Sequence, residues 1–188
     1  MRIRSLMAAA AAALLIALTT SPVRAEISLL SPPDLLLAVE SGDLEKARTL
    51  LGHGSKPDAA DARGMTPLAL AVRAGNAEMV DLLLKSGAHA ALLDKNGDSP
   101  LHWAAEAGDA ATIRLLIAAN GKVNQEDHQG RTPLMFAARA GKVEAIDALI
   151  KAGAIVDKSD FTGRDSLAWA SESRNPQATA ALRRAAGH

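Results

Sequence analysis

The sequence predicts an all-α repeat solenoid, about five helical hairpins stacked side by side. Three observations predict it. Gly64, Gly97, Gly130 and Gly163 are each 33 residues apart, and Asp61, Asp94, Asp127 and Asp160 keep the same step. So do Leu35, Leu68, Leu101, Leu134 and Leu167, and Ala38, Ala71, Ala104, Ala137 and Ala170. A fixed period of this length, held at so many independent positions, marks a stacked repeat. Within each period apolar residues recur at i, i+3 and i+4, which places them on one face of a helix. The composition agrees: there is no cysteine, no tyrosine, and only two Trp and two Phe. So few rings suit a solenoid, whose units need only aliphatic layers between neighbours.

The first element is a predicted leader over residues 1–25. Arg2 and Arg4 form a basic start, Leu6 to Leu18 an apolar run, and Val23-Arg24-Ala25 a small-residue cleavage pattern. The run is shorter than the roughly 18 residues a spanning helix needs. A Sec signal peptide cleaved after Ala25 is one reading; a retained N-terminal anchor is the other. Arg2 and Arg4 are not adjacent, so a twin-arginine signal is not expected, and without cysteine no lipoprotein anchor forms. Cleavage would remove three arginines, leaving 18 basic and 21 acidic side chains and a charge of about −3. That charge offers no case for nucleic acid. It also leaves no expectation of membrane attachment after cleavage. The expected address is the bacterial periplasm, with full secretion open.

Residues 26–32 form a lead-in without periodicity, and the repeat domain runs over 33–188. Its first repeat, 33–60, starts at Pro33-Asp34, breaks at Gly42-Asp43, and carries Ala47, Leu50 and Leu51 as an apolar face. Having one side toward water, it reads as the N-terminal cap. Three full repeats follow, 61–93, 94–126 and 127–159. Thr66, Ser99 and Thr132 are placed to cap their first helices, and Pro67, Pro100 and Pro133 take the first helical position. Gly75, Gly108 and Gly141 end those helices. Asn76 and Asp109 can cap the second helices, whereas Lys142 is expected to make a weaker cap. The second helices should bury Val80, Leu83 and Leu84; Ile113, Leu116 and Ile117; and Ile146, Leu149 and Ile150. They end at Gly87, Asn120 and Gly153, Asn being the next-best left-handed residue. The last repeat, 160–188, is degraded: Asp165-Ser166 replaces T-P, Arg174 replaces the inter-helix Gly, and Arg183 falls at a stacking position. It reads as a C-terminal cap with no sixth repeat after it.

Asp94 to Ala105 reads D-x-x-G-x-S-P-L-H-x-A-A. With D-A-R-G-M-T-P-L from Asp61 and D-H-Q-G-R-T-P-L from Asp127, it resembles the ankyrin repeat. The resemblance covers residues 33 to 186 and implies helix-turn-helix units joined by β-hairpins or turns. It also implies a non-catalytic module that binds a protein partner through its concave face. Similarity to exported bacterial ankyrin proteins further implies support or protection of a partner enzyme, for example in peroxide defence. A secreted effector acting on a host protein is the alternative. A metal-binding or enzymatic domain built on the same scaffold is a third.

In the family, the concave face comprises the hairpin tips and the exposed side of each inner helix. Here those positions hold Arg63, Met65 and Arg73; Lys95, Asn96, Asp98 and Glu106; and His128, Gln129, Arg131 and Arg139. Phe161, Arg164 and Glu172 follow in the last repeat. Six are basic and three acidic, which is either ordinary tip polarity or a mildly basic groove for an acidic protein surface. Trp103, Phe136 and Trp169 share one repeat position. That ladder is either packing or a line of binding anchors, the residue types that dominate interface energies. Phe161 is expected at a tip, against a partner or against the C-terminal cap.

Chemistry has few candidates. There is no G-x-S-x-G, S-x-x-K, G-x-G-x-x-G or P-loop. His53, His89, His102, His128 and His188 show no metal-ligand spacing. His102 is expected to bond to its neighbouring turn. No catalytic residue, cofactor or metal is assigned, and a monomer is expected.

Overall fold

The computed structural model describes residues 34–187. The leader over 1–25, the lead-in over 26–32, Pro33 and His188 lie outside the described residues. Those described form ten helices: α1 Asp34–Glu40, α2 Leu44–Gly52, α3 Pro67–Arg73, α4 Ala77–Lys85, α5 Pro100–Ala107, α6 Ala110–Ala118, α7 Pro133–Arg139, α8 Val143–Lys151, α9 Ser166–Glu172 and α10 Pro176–Ala186. They pair into five hairpins, α1–α2 through α9–α10. Inner helices α1, α3, α5, α7 and α9 pack in one row, and outer helices α2, α4, α6, α8 and α10 in a second. The hairpin part of the expected unit takes the turn form, with no strand among the described residues.

The inner row is held by two of the periodic positions. Leu35, Leu68, Leu101 and Leu134 are at most 1% exposed, as are the five alanines from Ala38 to Ala170. Alanine is required there because the inner helices of adjacent units approach along that line. Leu167 in the last repeat is only half-buried. The outer helices depart from expectation at one position in each triplet. Val80, Leu83, Ile113, Leu116, Ile146 and Leu149 are fully buried, but Leu84, Ile117 and Ile150 are half-buried. The missing core position lies one residue before the first of each triplet. Met79, Thr112, Ala145 and Ala178 are all buried, again 33 apart. Leu50 and Leu51 are likewise half-buried, so Ala47 is the one fully buried residue of α2, with Leu44, Leu50 and Leu51 packed against the core at its edge.

The helix starts follow the turn chemistry, with variations. Thr66 Oγ1 accepts the Ala69 N–H at 3.2 Å, and Asp165 that of Ala168 at 2.8 Å. Ser99 and Thr132 make no such bond. At Ser99 the cap is reversed: His102 Nδ1 accepts the Ser99 N–H at 3.0 Å, and the hydroxyl lies 2.9 Å from the same nitrogen. Asn76 caps α4 and Asp109 caps α6, while Lys142 offers α8 no side-chain bond. Asn120 takes the left-handed conformation expected of its register, φ +65°. Arg174 is forced into it as well, φ +55°, where its side chain is a steric cost.

Leu134, on α7, lies between two covering repeats. We expect Leu134→Ala to lower stability by about 2–5 kcal/mol, the range for a buried leucine that leaves a cavity. Gly87→Val should also lower the melting temperature. No neighbour crowds Gly87, so the strain arises wholly from its φ of +87°. An unchanged thermal melt in either variant would contradict this register.

Candidate protein-binding face

Four successive tips share one geometry, built on the periodic aspartate. Asp61 Oδ1 accepts the N–H groups of Arg63 and Met65 at 2.8 and 2.9 Å. Asp94 does the same for Asn96 and Asp98 at 2.8 and 3.0 Å. Asp127 serves Gln129 and Arg131, both at 2.8 Å, and Asp160 serves Thr162 and Arg164 at 2.8 and 3.0 Å. Adjacent tips are joined by one backbone bond each. Lys95 N–H donates to Arg63 O at 3.0 Å, His128 N–H to Asn96 O at 3.1 Å, and Phe161 N–H to Gln129 O at 3.0 Å. The approach is close enough that a Cβ on Gly97 would sit 2.7 Å from His128 N.

These bonds set the acidity of two of the tip carboxylates. Burial pushes Asp61 and Asp160 upward, but the hydrogen bonds they accept outweigh it and hold both below the usual carboxylate range. For Asp61 the donors are the Arg63 side chain and the N–H groups of Met65 and Arg63. For Asp160 they include the Thr162 hydroxyl and the Trp169 indole, which donates to Oδ2 at 3.0 Å.

On the inner helices the cations and rings interleave. Arg131 lies 4.6 Å from the Phe136 centroid and Arg164 lies 3.8 Å from that of Trp169. Arg139 reaches both rings, at 5.4 and 5.9 Å, and Arg73 lies 5.9 Å from Trp103. One further period runs through this face. Glu40, Arg73, Glu106, Arg139 and Glu172 are 33 apart and alternate in sign. Arg139 pairs with Glu106 at 2.7 Å, and Arg164 with Glu172 at 2.6 Å. Arg63 pairs with Asp61 at 2.8 Å and lies 4.0 Å from Glu40. Glu40 was not among the residues expected here, although the 33-residue step run back from Arg73 reaches it.

Three expected contact residues are corrected. Met65 is 2% exposed: its N–H is tied to Asp61 and its side chain joins the core. Phe136 is 4% exposed, packed edge-on against His102 with centroids 5.0 Å apart, so it is a core ring. Asp98 is 4% exposed and cannot lie open on the tip. The basic groove is also largely neutralised from within. Arg63, Arg131, Arg139 and Arg164 each hold a carboxylate of the chain itself, whereas Arg73 and Lys95 hold none among the described residues. Lys95, Asn96, His128 and Gln129 are exposed at their tips, Trp103, Glu106 and Trp169 are half-buried, and Phe161 is 74% exposed. The Phe161 ring lies against the neighbouring tip, over Gly130.

His102 bonds across repeats. Its Nδ1 accepts from Ser99, so Nε2 carries the proton and donates to Arg131 O at 3.1 Å. Burial lowers its pKa to about 4. Asp98 moves the other way, to about 6, through burial and the nearby charges of Asp94 and Asp127. A second concavity, a cleft between α6 and α8, lies on the outer row. It has an alanine and isoleucine floor rimmed by Arg114, Glu144, Asp147 and Lys151. Among the described residues no group of three or more His, Asp or Glu is placed to hold a metal ion, and no helix is long and apolar enough to cross a membrane.

The two perturbed groups oppose each other in acid. The His102 contribution to stability is present above about pH 6.5 and lost as pH falls toward 4. The Asp98 pKa is raised on folding, so its contribution grows as pH falls from about 6 toward its ordinary value. Asp98→Asn removes the second effect and leaves the first. Its melting temperature should therefore fall more steeply than that of the parent between pH 6 and 4. Parallel curves would contradict the assignment.

Set against known families, residues 35–127 and 106–187 match the model described as ankyrin repeats in three copies. No curated protein matches the chain. The match spans all five hairpins, and the chain belongs to the ankyrin repeat family.

Proposed function

We propose that this protein is a non-catalytic interaction module that holds a partner protein in its concave face within the bacterial periplasm, after removal of residues 1–25. In this reading it acts alone, as a monomer, and supports or protects a partner enzyme such as one of oxidative-stress defence. Ankyrin repeats generally act as protein-binding modules, which supports the broad class. The choice of the concave face as the binding site is supported by one observation: the face keeps cations without a carboxylate and partly exposed rings along its length. Among the described residues Arg73 and Lys95 have no carboxylate partner, Trp103 and Trp169 are half-buried, and Phe161 is 74% exposed. Large rings and arginine are the side chains from which binding hot spots are made. Helices pack about 8–10 Å apart, so five units give a face roughly 40–50 Å long. That is enough for the roughly 800 Å² each partner buries in a standard interface.

The choice of test residues follows from the ion pairs. Arg63, Arg131 and Arg139 are engaged with Asp61, Asp127 and Glu106, so changing them would perturb the fold as well as the face. Arg73→Glu, Lys95→Glu and Phe161→Ala together break no ion pair among the described residues. The triple variant should keep its melting temperature and lose capture of the partner from periplasmic extract. Capture at the parent level would place the site elsewhere. Fractionation of cells expressing the full chain tests the address: protein in the cytosol or membrane pellet would overturn it.

A further inference from the structure

Arg139 shows how a guanidinium on this face is held when its contacts are complete. It lies 5.4 Å from the Phe136 centroid in its own repeat and 5.9 Å from that of Trp169 in the next. It also bonds at 2.7 Å to Glu106, which stands one period before it. Arg73 occupies the same register two repeats earlier. It too ends its inner helix, and it lies 5.9 Å from the Trp103 centroid in the next repeat, within cation–π range. The carboxylate is what it lacks.

Glu40 stands one period before Arg73, but it lies 4.0 Å from Arg63, and no ion pair joins it to Arg73 among the described residues. Two repeats on, the counterpart of Arg63 is the uncharged Gln129, so Glu106 faces no such competitor for Arg139. The other carboxylates of the region are committed or enclosed. Glu106 is bonded to Arg139, and Asp94 and Asp98 are 8% and 4% exposed. Arg73 itself is exposed, and so is Lys95 on the following tip. The second and third repeats therefore present open positive charge, with one guanidinium already placed against a half-buried indole. The last two repeats differ, because Arg131, Arg139 and Arg164 hold Asp127, Glu106 and Glu172.

Resting on the concave-face reading, we propose that Arg73 is the receptor for an acidic side chain of the partner protein, whose carboxylate takes the place that Glu106 fills beside Arg139. A guanidinium whose face lies toward a ring still has its in-plane donors free, and these match a carboxylate. Arg164 makes both contacts at once, with Trp169 at 3.8 Å and Glu172 at 2.6 Å. The partner's acidic residue therefore meets the second and third repeats, and Lys95 makes the same end of the face attractive to a second one.

The chain's two tryptophans report the two settings, Trp103 beside the unpaired Arg73 and Trp169 beside guanidinium groups that already hold carboxylates. An isolated exposed ion pair is weak, so the probe is a blocked peptide with two carboxylates, acetyl-Glu-Gly-Gly-Glu-amide, titrated to millimolar concentration. In the ¹H–¹⁵N spectrum the Trp103 indole signal should shift and saturate, and the Trp169 signal should stay. The lysine counterpart of the peptide should move neither. Arg73→Gln breaks no ion pair among the described residues, so it should keep its melting temperature and lose the Trp103 shift. Raising the salt to about 1 M, where charges are screened beyond about 3 Å, should suppress the shift in the parent protein without any variant. An unmoved Trp103 signal, an equal shift with the lysine peptide, a larger one with inorganic phosphate, a shift that persists in high salt, or one that survives in folded Arg73→Gln would overturn the proposal. No glutamate response, together with loss of partner capture in the Arg73, Lys95 and Phe161 variant, would remove only this receptor and leave the concave face standing. Capture at the parent level in that variant would overturn both.

Discussion

The structure depends on the aspartate that opens each tip. Asp61, Asp94, Asp127 and Asp160 each fold their turn by accepting two backbone N–H groups, and that turn places the next inner helix. Because the turns are alike, each of the last three donates one N–H to a carbonyl of the turn before it. The same spacing then brings Leu68, Leu101 and Leu134, with Ala71, Ala104 and Ala137, into contact between neighbours. Stability in such an array is a sum of unit and interface terms, so an interior unit such as the one holding Leu134 counts through two interfaces.

The open face follows from the same regularity. An inner helix of seven or eight residues buries one side against its neighbours and its hairpin partner, leaving a short outward side with room for one charge and one ring per unit. The charges alternate from Glu40 to Glu172, so much of the face is balanced from within. Exposed ion pairs of this kind add little stability individually. Their main effect is to fix the guanidinium planes over the rings. The cations left without a carboxylate among the described residues are Arg73 and Lys95, and the most exposed ring is Phe161.

Much of this was legible in the sequence because a repeated unit states its rules several times. The hairpin boundaries, the glycine register and its Asn120 variant, and the weak cap at Lys142 all follow from aligning one period on the next. Side-chain burial at the tips did not follow. Met65 and Asp98 occupy a position that is exposed in principle, yet both are buried in the array, whose tips are drawn together by the Lys95 and His128 amide bonds. Phe136 and Trp103 share a register too, yet Phe136 is enclosed by Arg131 and Arg139 while Trp103 has Asp98 where Arg131 would be. The buried line Met79, Thr112, Ala145 and Ala178 went unread because its residues differ in size and polarity, so no hydrophobic period announced it. The sign alternation at Glu40, Arg73, Glu106, Arg139 and Glu172 was present in the sequence, but was visible only when position 40 was counted as part of the face.

The most direct test of the turn-and-bond account is amide hydrogen exchange at Lys95, His128 and Phe161, compared between the parent protein and Asp127→Ala. All three amides should be protected in the parent. Losing Asp127 frees the 127–131 turn, so exchange should accelerate at His128 and Phe161, which bond to the tips on either side, and stay slow at Lys95, one repeat away. Equal rates at all three positions in both proteins would show that the aspartate does not hold the tips together.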